Sequence, residues 1–205
     1  MKKPDHAAFV VVVTLLSVSA SKAQTRYTDL TNTKLSTTEF RRVAAACAPD
    51  VPVVTLQAVA RAESAFHPYA VSLDYPRRTA REQGFAEGTL SLARQPKNLA
   101  EALAWTHWFV RNGQSVSLGL MQVSTQQASD LRVSVDQLFD PCTNVRAGAQ
   151  MLTRKYRRAA ALLGEGQEAL RQALSQYNSG SDVVGFLNGY VQSVLNGESY
   201  ARQFP

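Results

Sequence analysis

Residues 52–68, PVVTLQAVARAESAFHP, decide how the rest of the chain is read. Val53, Leu56, Val59, Ala60, Glu63 and His67 recur at spacings of three and four, which places them on one face of a helix. That face is apolar until Glu63. A carboxyl group turned toward a core loses the hydration of its charged form, so its pKa rises and it holds a proton near neutral pH that it can donate. The competing reading is plain: near the last turn of the helix, Glu63 simply points to water, as most acids do. Pro52 suits the start of this helix, and Pro68 prevents it from continuing.

Upstream, Ser36 or Thr37 caps a helix running through Phe40, Val43 and Ala44 to Cys47, with Glu39 placed as a capping box requires, and Pro49 breaks it. Residues 24–35 are polar and threonine-rich without an apolar period, and read as a mobile arm. Residues 1–23 form a separate unit. Lys2 and Lys3 precede an apolar run from Ala7 to Val18, and small residues follow at Ser19, Ala20, Ser21 and Ala23, the pattern of a secretory signal. Cleavage after Ala23 and cleavage after Ala20 both satisfy the small-residue rule. About a dozen apolar residues fall short of the roughly 20 that cross a bilayer, so the expected mature protein is periplasmic and not integral to the membrane.

Downstream, residues 73–98 carry prolines, glycines and charges without a period and read as a surface excursion. A helix is expected from Asn98 to Val110, with Leu99, Ala102, Leu103, Trp105, Thr106 and Phe109 as its buried face. Trp105, His107 and Trp108 admit a second reading as sugar-stacking residues, although aromatic area favours burial for Trp105. Further helices are expected over residues 124–131, from Asn144 to Leu163 and from Glu168 to Tyr177, the last stopped by Asn178, Ser179 and Gly180. No stretch reads as a strand. The expected fold is therefore all-α, or mainly α, in one domain over residues 36–205.

The chain has 205 residues, 45% hydrophobic and 19% charged, a composition that allows a real core and argues against disorder. Its formal charge is +6; loss of Lys2, Lys3, Lys22 and Asp5 with residues 1–23 lowers this to +4. A mildly basic balance suits a polyanionic surface without choosing one. The densest cluster, Arg154, Lys155, Arg157 and Arg158, lacks the interleaved aromatics that stack on bases, so it reads as a solvated helix face and no nucleic-acid partner is expected.

Export gives the two cysteines meaning. In an oxidising compartment Cys47 and Cys142 are expected to pair, closing a 95-residue loop that stabilises by up to about 4.7 kcal/mol on the chain-entropy model. None of His6, His67 and His107 forms a cysteine-pairing motif, and no CxxC or HExxH spacing is present. No metal site and no cofactor are expected.

Three segments carry the chemistry in order: AESAFHPYAVS at residues 62–72, LGLMQVS at 118–124 and ALSQYNSG at 173–180. Together they resemble the lytic transglycosylases, lysozyme-like enzymes that cleave peptidoglycan, whose hallmarks are an ES pair, a GLMQ turn and a YN(A/S/T)G helix end. The segments CAPDVPVVTLQAVARAES, LAEALAWTHWFVRNGQ, DPCTNVRAGAQML and GFLNGYVQSV narrow the resemblance to the transglycosylase subunit of type IV secretion and conjugation systems, over roughly residues 36–195. The resemblance implies a goose-type, SLT-like fold and a wall-opening role beside a secretion or conjugation apparatus.

It also implies roles. Glu63 would be the sole catalytic acid and base. Ser72 would contact an acetamido group, Gly119 would let backbone approach the cleft, and Leu120, Met121 and Gln122 would belong to its wall. Tyr177 would bring its hydroxyl to the catalytic carboxyl, and Asn178 would complete the substrate-binding set. His67 matches a position where the family often has Asn and reads as a packing or capping residue. Secretion-associated members commonly have an acidic residue two positions before the GLMQ glycine and Asn after GLMQ[IV]; here those positions are Ser117 and Ser124. Rival readings are a hydrolytic muramidase on the same fold and a wall-binding scaffold without catalysis.

Overall fold

A computed structural model describes residues 34–74, 89–92 and 94–197; the expected signal, most of the arm and residues 75–88 lie outside the described residues. The first helix, α1 (Thr37–Cys47), starts as its sequence dictates. Ser36 Oγ accepts the Glu39 amide at 3.2 Å, while the Glu39 carboxylate accepts the Ser36 amide at 2.7 Å. The two helix-end donors are thereby satisfied reciprocally. Helix α2 (Val53–Ser64) follows after the Pro49–Pro52 break and buries Leu56, Val59 and Ala60. It ends on two non-glycine residues in the left-handed region, Ala65 (φ 49°) and Phe66 (φ 64°), a conformation that costs of order 1 kcal/mol per residue and persists only when packing enforces it. The packing is visible: the Phe66 ring lies 5.2 Å from that of Phe40, and its carbonyl accepts the Leu35 amide at 2.9 Å.

The chain then forms a sheet, where none was expected. Strands β1 (Val71–Asp74), β2 (Thr89–Ser91), β3 (Ser115–Leu118) and β4 (Val123–Ser124) are antiparallel in the order β2-β1-β3-β4. Strand β1 overlaps the start of the segment read as an excursion, and β2 lies within it. The sequence does alternate, as VSLD and SVSL, but four residues are too few to separate a strand from a loop. The register aligns Ser91, Ser72, Ser117 and Ser124 across the sheet. Val71, Val116 and Leu118 point to the core with no exposure.

Helix α3 (Leu99–Arg111) lies between β2 and β3, capped by Asn98 Oδ1 at 2.9 Å from the Glu101 amide. Ala102 and Thr106 are buried, Leu103, Trp105 and Phe109 are half-buried, and Leu99 is exposed, which corrects its expected place on the buried face. The helix expected over residues 124–131 is instead the end of β4, a short 3-10 turn (Thr125–Gln127) and irregular turns. A second 3-10 turn (Asp136–Phe139) leads into α4 (Pro141–Leu163), with Pro141 in its first turn and Asp140 Oδ1 accepting the Thr143 amide at 2.8 Å. Helix α5 (Gln167–Ser179) packs along α4, and two short helices follow, α6 (Val184–Leu187) and α7 (Tyr190–Asn196). The Cys47–Cys142 disulfide is present with Cα atoms 5.4 Å apart, joining the end of α1 to the start of α4. No helix among the described residues is long and apolar enough to cross a membrane.

Candidate active site

The end of α2, the turn after β3, and helices α4, α5 and α7 meet around Glu63. The turn is the pivot. Gly119 adopts φ 73°, and a Cβ there would come within 2.6 Å of the Leu138 carbonyl, so glycine is required by both conformation and space. Its amide donates to Ala70 O at 2.8 Å, fastening the turn to the chain just before β1. Gln122 closes the turn at φ 48°, its side-chain amide donating to Gly119 O at 3.0 Å and Ala70 O at 3.3 Å.

Leu120 and Met121 are 1% and 0% exposed, so their side chains belong to the core and not to an open cleft wall. Their backbone atoms make the connections. Ser64, the second residue of the ES pair, donates its hydroxyl to Leu120 O at 2.8 Å and thereby ties the end of the Glu63 helix to the turn. The Met121 amide donates to Asn144 Oδ1 at 2.7 Å, and Met121 O accepts the Tyr177 hydroxyl at 2.7 Å. On the far side, α4 approaches so closely that a Cβ on Gly148 would lie 2.5 Å from Met121 Cβ and 3.0 Å from the Tyr177 hydroxyl. Asn144 is the residue that sequence reasoning missed here. At 1% exposure, its amide also donates to Leu118 O at 2.8 Å and Leu138 O at 2.7 Å, satisfying three backbone groups in the interior.

Glu63 itself is half-buried. The hydroxyl expected to orient it was that of Tyr177, yet Tyr177 donates to the turn. Among the described residues Tyr190, the first residue of α7, donates to the carboxyl: its fully buried side chain places its hydroxyl 2.6 Å from Glu63 Oε1. Burial pushes the Tyr177 phenol well above its ordinary pKa, with the nearby negative charge of Glu63 adding to the shift, so Tyr177 remains a neutral donor. Asn178, expected to contact substrate, is half-buried and makes a further connection. Its Oδ1 accepts Asn188 Nδ2 at 2.8 Å, and Asn188 Oδ1 in turn accepts the Tyr190 amide at 3.0 Å. The YN pair thus builds the site through the GLMQ turn and through Tyr190. The signal for Tyr190 lay in GFLNGYVQSV, where an aromatic follows a glycine that opens a short helix.

Ser72 sits half-buried on β1, and the sheet face it shares is polar. Asp74, on the same face, accepts the hydroxyls of Ser115 (2.6 Å), Ser117 (2.7 Å) and Ser124 (2.6 Å). Ser117 on β3 and Ser124 on β4, the two positions at which the sequence departs from the expected pattern, thus both donate to a carboxylate on β1.

His67 is buried at 6% exposure, its Nδ1 accepting the Tyr69 amide at 3.2 Å. Desolvation, helped by the charge of Lys34, lowers its pKa from 6.5 to about 4. As pH falls the unfolded chain takes up this proton first, so the stability that neutral His67 contributes is complete above about pH 6.5 and is lost between there and about pH 4. The loss amounts to about 3 kcal/mol. Urea unfolding at neutral and acid pH measures it, and His67→Asn is expected to flatten that dependence.

Of the proposed sugar-stacking residues, Trp105 has the Arg94 guanidinium 4.6 Å over its ring, Trp108 is 56% exposed, and His107 Nε2 lies 2.9 Å from Asp136 Oδ1. Among the described residues, none of these contacts joins them to Glu63 or the turn.

Residues 42–196 match the family model described as the transglycosylase SLT domain, and the chain belongs to that family. The domain is lysozyme-like, in keeping with the mainly helical architecture and its small sheet. Protein virB1 of Rhizobium radiobacter is 35% identical over 162 residues, covering 79% of this chain and 62% of that protein. The type IV secretion system protein virB1 of Brucella abortus biovar 1 (strain 9-941) is also 35% identical over 162 residues, 76% of this chain and 62% of its own length. The chain therefore spans less than two thirds of these relatives. No solved structure matches it.

Proposed function

We propose that the protein is a peptidoglycan lytic transglycosylase that cleaves the MurNAc–GlcNAc β-1,4 bond, with Glu63 as its acid and base. The observation that carries this reading is the convergence on Glu63. A half-buried carboxyl at the end of α2 receives the Tyr190 hydroxyl at 2.6 Å, and the adjoining Ser64 fixes the GLMQ turn beside it. Protonated Glu63 gives its proton to the glycosidic oxygen as the C1–O bond breaks. The substrate's own acetamido oxygen bonds to C1, so no second carboxylate is needed as nucleophile. Glu63, now a carboxylate, takes the proton from the C6 hydroxyl; O6 attacks C1, displaces the acetamido oxygen and closes a 1,6-anhydro ring. No water is consumed, Glu63 regains its proton, and the intramolecular attack supplies proximity. Asp74 offers the sheet's polar face a carboxylate, but three serine hydroxyls engage its oxygens, which favours a structural acceptor over a base that activates water.

Export by residues 1–23 would place this activity in the periplasm. The Brucella abortus relative is named as a type IV secretion system protein, and together with the transglycosylase SLT family this supports local wall opening for a type IV secretion or conjugation apparatus. Ser72 is assigned to the acetamido group, and Gly119 and Gln122 to the substrate-facing turn. Digestion of purified wall followed by muropeptide analysis tests the reading: anhydro-ended products support it, reducing ends indicate a hydrolytic muramidase, and binding without cleavage indicates a scaffold.

Tyr190→Phe keeps the ring and removes one donor. A hydrogen bond to the ionised carboxyl favours that form, so its loss raises the Glu63 pKa. The alkaline limb of the cleavage rate is expected to move to higher pH while the maximal rate falls roughly 10- to 100-fold from a less well held carboxyl. An unshifted limb would make Tyr190 a packing residue only.

A further inference from the structure

The face of α4 turned away from the GLMQ turn carries a second feature. Arg146, Gln150, Thr153, Arg154 and Arg157 follow one helical stripe, about half a turn round from Gly148, which packs on Met121 and Tyr177. Together with Asp50 and the disulfide-linked end of α1 they line a groove of about 490 Å³. All three arginines are exposed, and none forms a salt bridge among the described residues. Arg146 is anchored, its Nη2 lying 3.2 Å from the disulfide sulfur of Cys142.

Three guanidiniums gathered with one carboxylate leave the groove with unmet positive charge. Guanidinium forks match carboxylates in two-pronged pairs. We propose that this groove docks an acidic peptide segment of another protein. Charge complementarity identifies the occupant, and the rest of the lining refines it. Asp50, Gln150 and Thr153 put acceptors among the donors, which suits amide backbone between acidic side chains and disfavours an unbroken run of phosphates. Arg146 and Arg154 are separated by about 12 Å of helix, a span covered by about four residues of extended chain. Acidic side chains at alternate positions of such a segment reach the arginines in turn. Because the stripe lies on the opposite face of α4 from the turn, the docked segment leaves the cleft open to glycan, and the protein can cut while tethered.

The test is a titration of the purified protein with a fluorescein-labelled Ser-Glu repeat peptide, followed by anisotropy at low and at physiological salt. Saturable binding that weakens with salt is expected, falling about tenfold or more in the double variant Arg154→Gln/Arg157→Gln. The control Arg41→Gln/Arg42→Gln makes the same charge change on α1, where both arginines are exposed, and is expected to bind as the wild type does. Wall cleavage and melting temperature should be unaltered in both variants, so the docking site and the catalytic reading fail separately. The proposal is overturned by non-saturable binding, by an equal loss in the α1 control, or by displacement of the peptide with inorganic phosphate or with vesicles containing acidic lipid.

Discussion

Glu63→Gln is expected to slow wall cleavage by about 10⁴-fold, the upper end of what one proton-transferring group contributes, because the same carboxyl serves as acid and then as base. Glutamine keeps the shape and still offers an oxygen to the Tyr190 hydroxyl at 2.6 Å, so the variant should fold and melt within about 1 kcal/mol of the wild type. Release of anhydro-muropeptides over time, measured beside a melting curve, separates the two quantities. Full activity in the variant would remove Glu63 from the mechanism. Comparable loss of activity and of folding would make it a structural residue.

The second large effect is on stability. Asn144→Ala strips partners from the Met121 amide and the Leu118 and Leu138 carbonyls, all in the interior. Each buried group left unpaired costs about 1–3 kcal/mol, so roughly 3–9 kcal/mol is expected for the three, a large share of the 5–15 kcal/mol that holds an ordinary domain together. Urea unfolding measures it. Asn144→Asp is the informative control: a carboxylate still accepts the Met121 amide, but it is desolvated and faces both carbonyls with no proton to donate, so it should recover none of the loss.

Helices were legible wherever long apolar periods existed. The Ser36–Glu39 capping box, the Glu63 stripe and the Val145–Gly148–Leu152 face each declare themselves in sequence, and each stands where expected. The sheet was hidden because its strands are two to four residues long and carry serine in place of β-branched residues on their polar side. Its polar face is held by the Asp74 carboxylate, and no local pattern reveals a carboxylate that gathers hydroxyls from two other strands. Site geometry was legible only in part. Motifs located Glu63 and the turn, but the donors are set by contacts across the fold: Tyr177 serves the turn, Tyr190 serves Glu63, and Asn144 has no signature other than a polar residue on an apolar face. Membership of the SLT family shows that the motifs mark a shared scaffold, and Ser117 and Ser124 show how serines on two strands can hold a carboxylate on a third.

The bond between Tyr190 and Glu63 joins residues 127 positions apart. A ribosome that has made Glu63, Ser64 and the whole GLMQ turn has still not supplied the hydroxyl that holds the acid, nor Asn188, which sets the Tyr190 amide. Long-range closure of this kind comes late in folding, because its chain entropy is recovered only after the intervening elements are in place. The hydroxyl that holds the acid therefore reaches Glu63 only once the last described helix has docked against the end of α2.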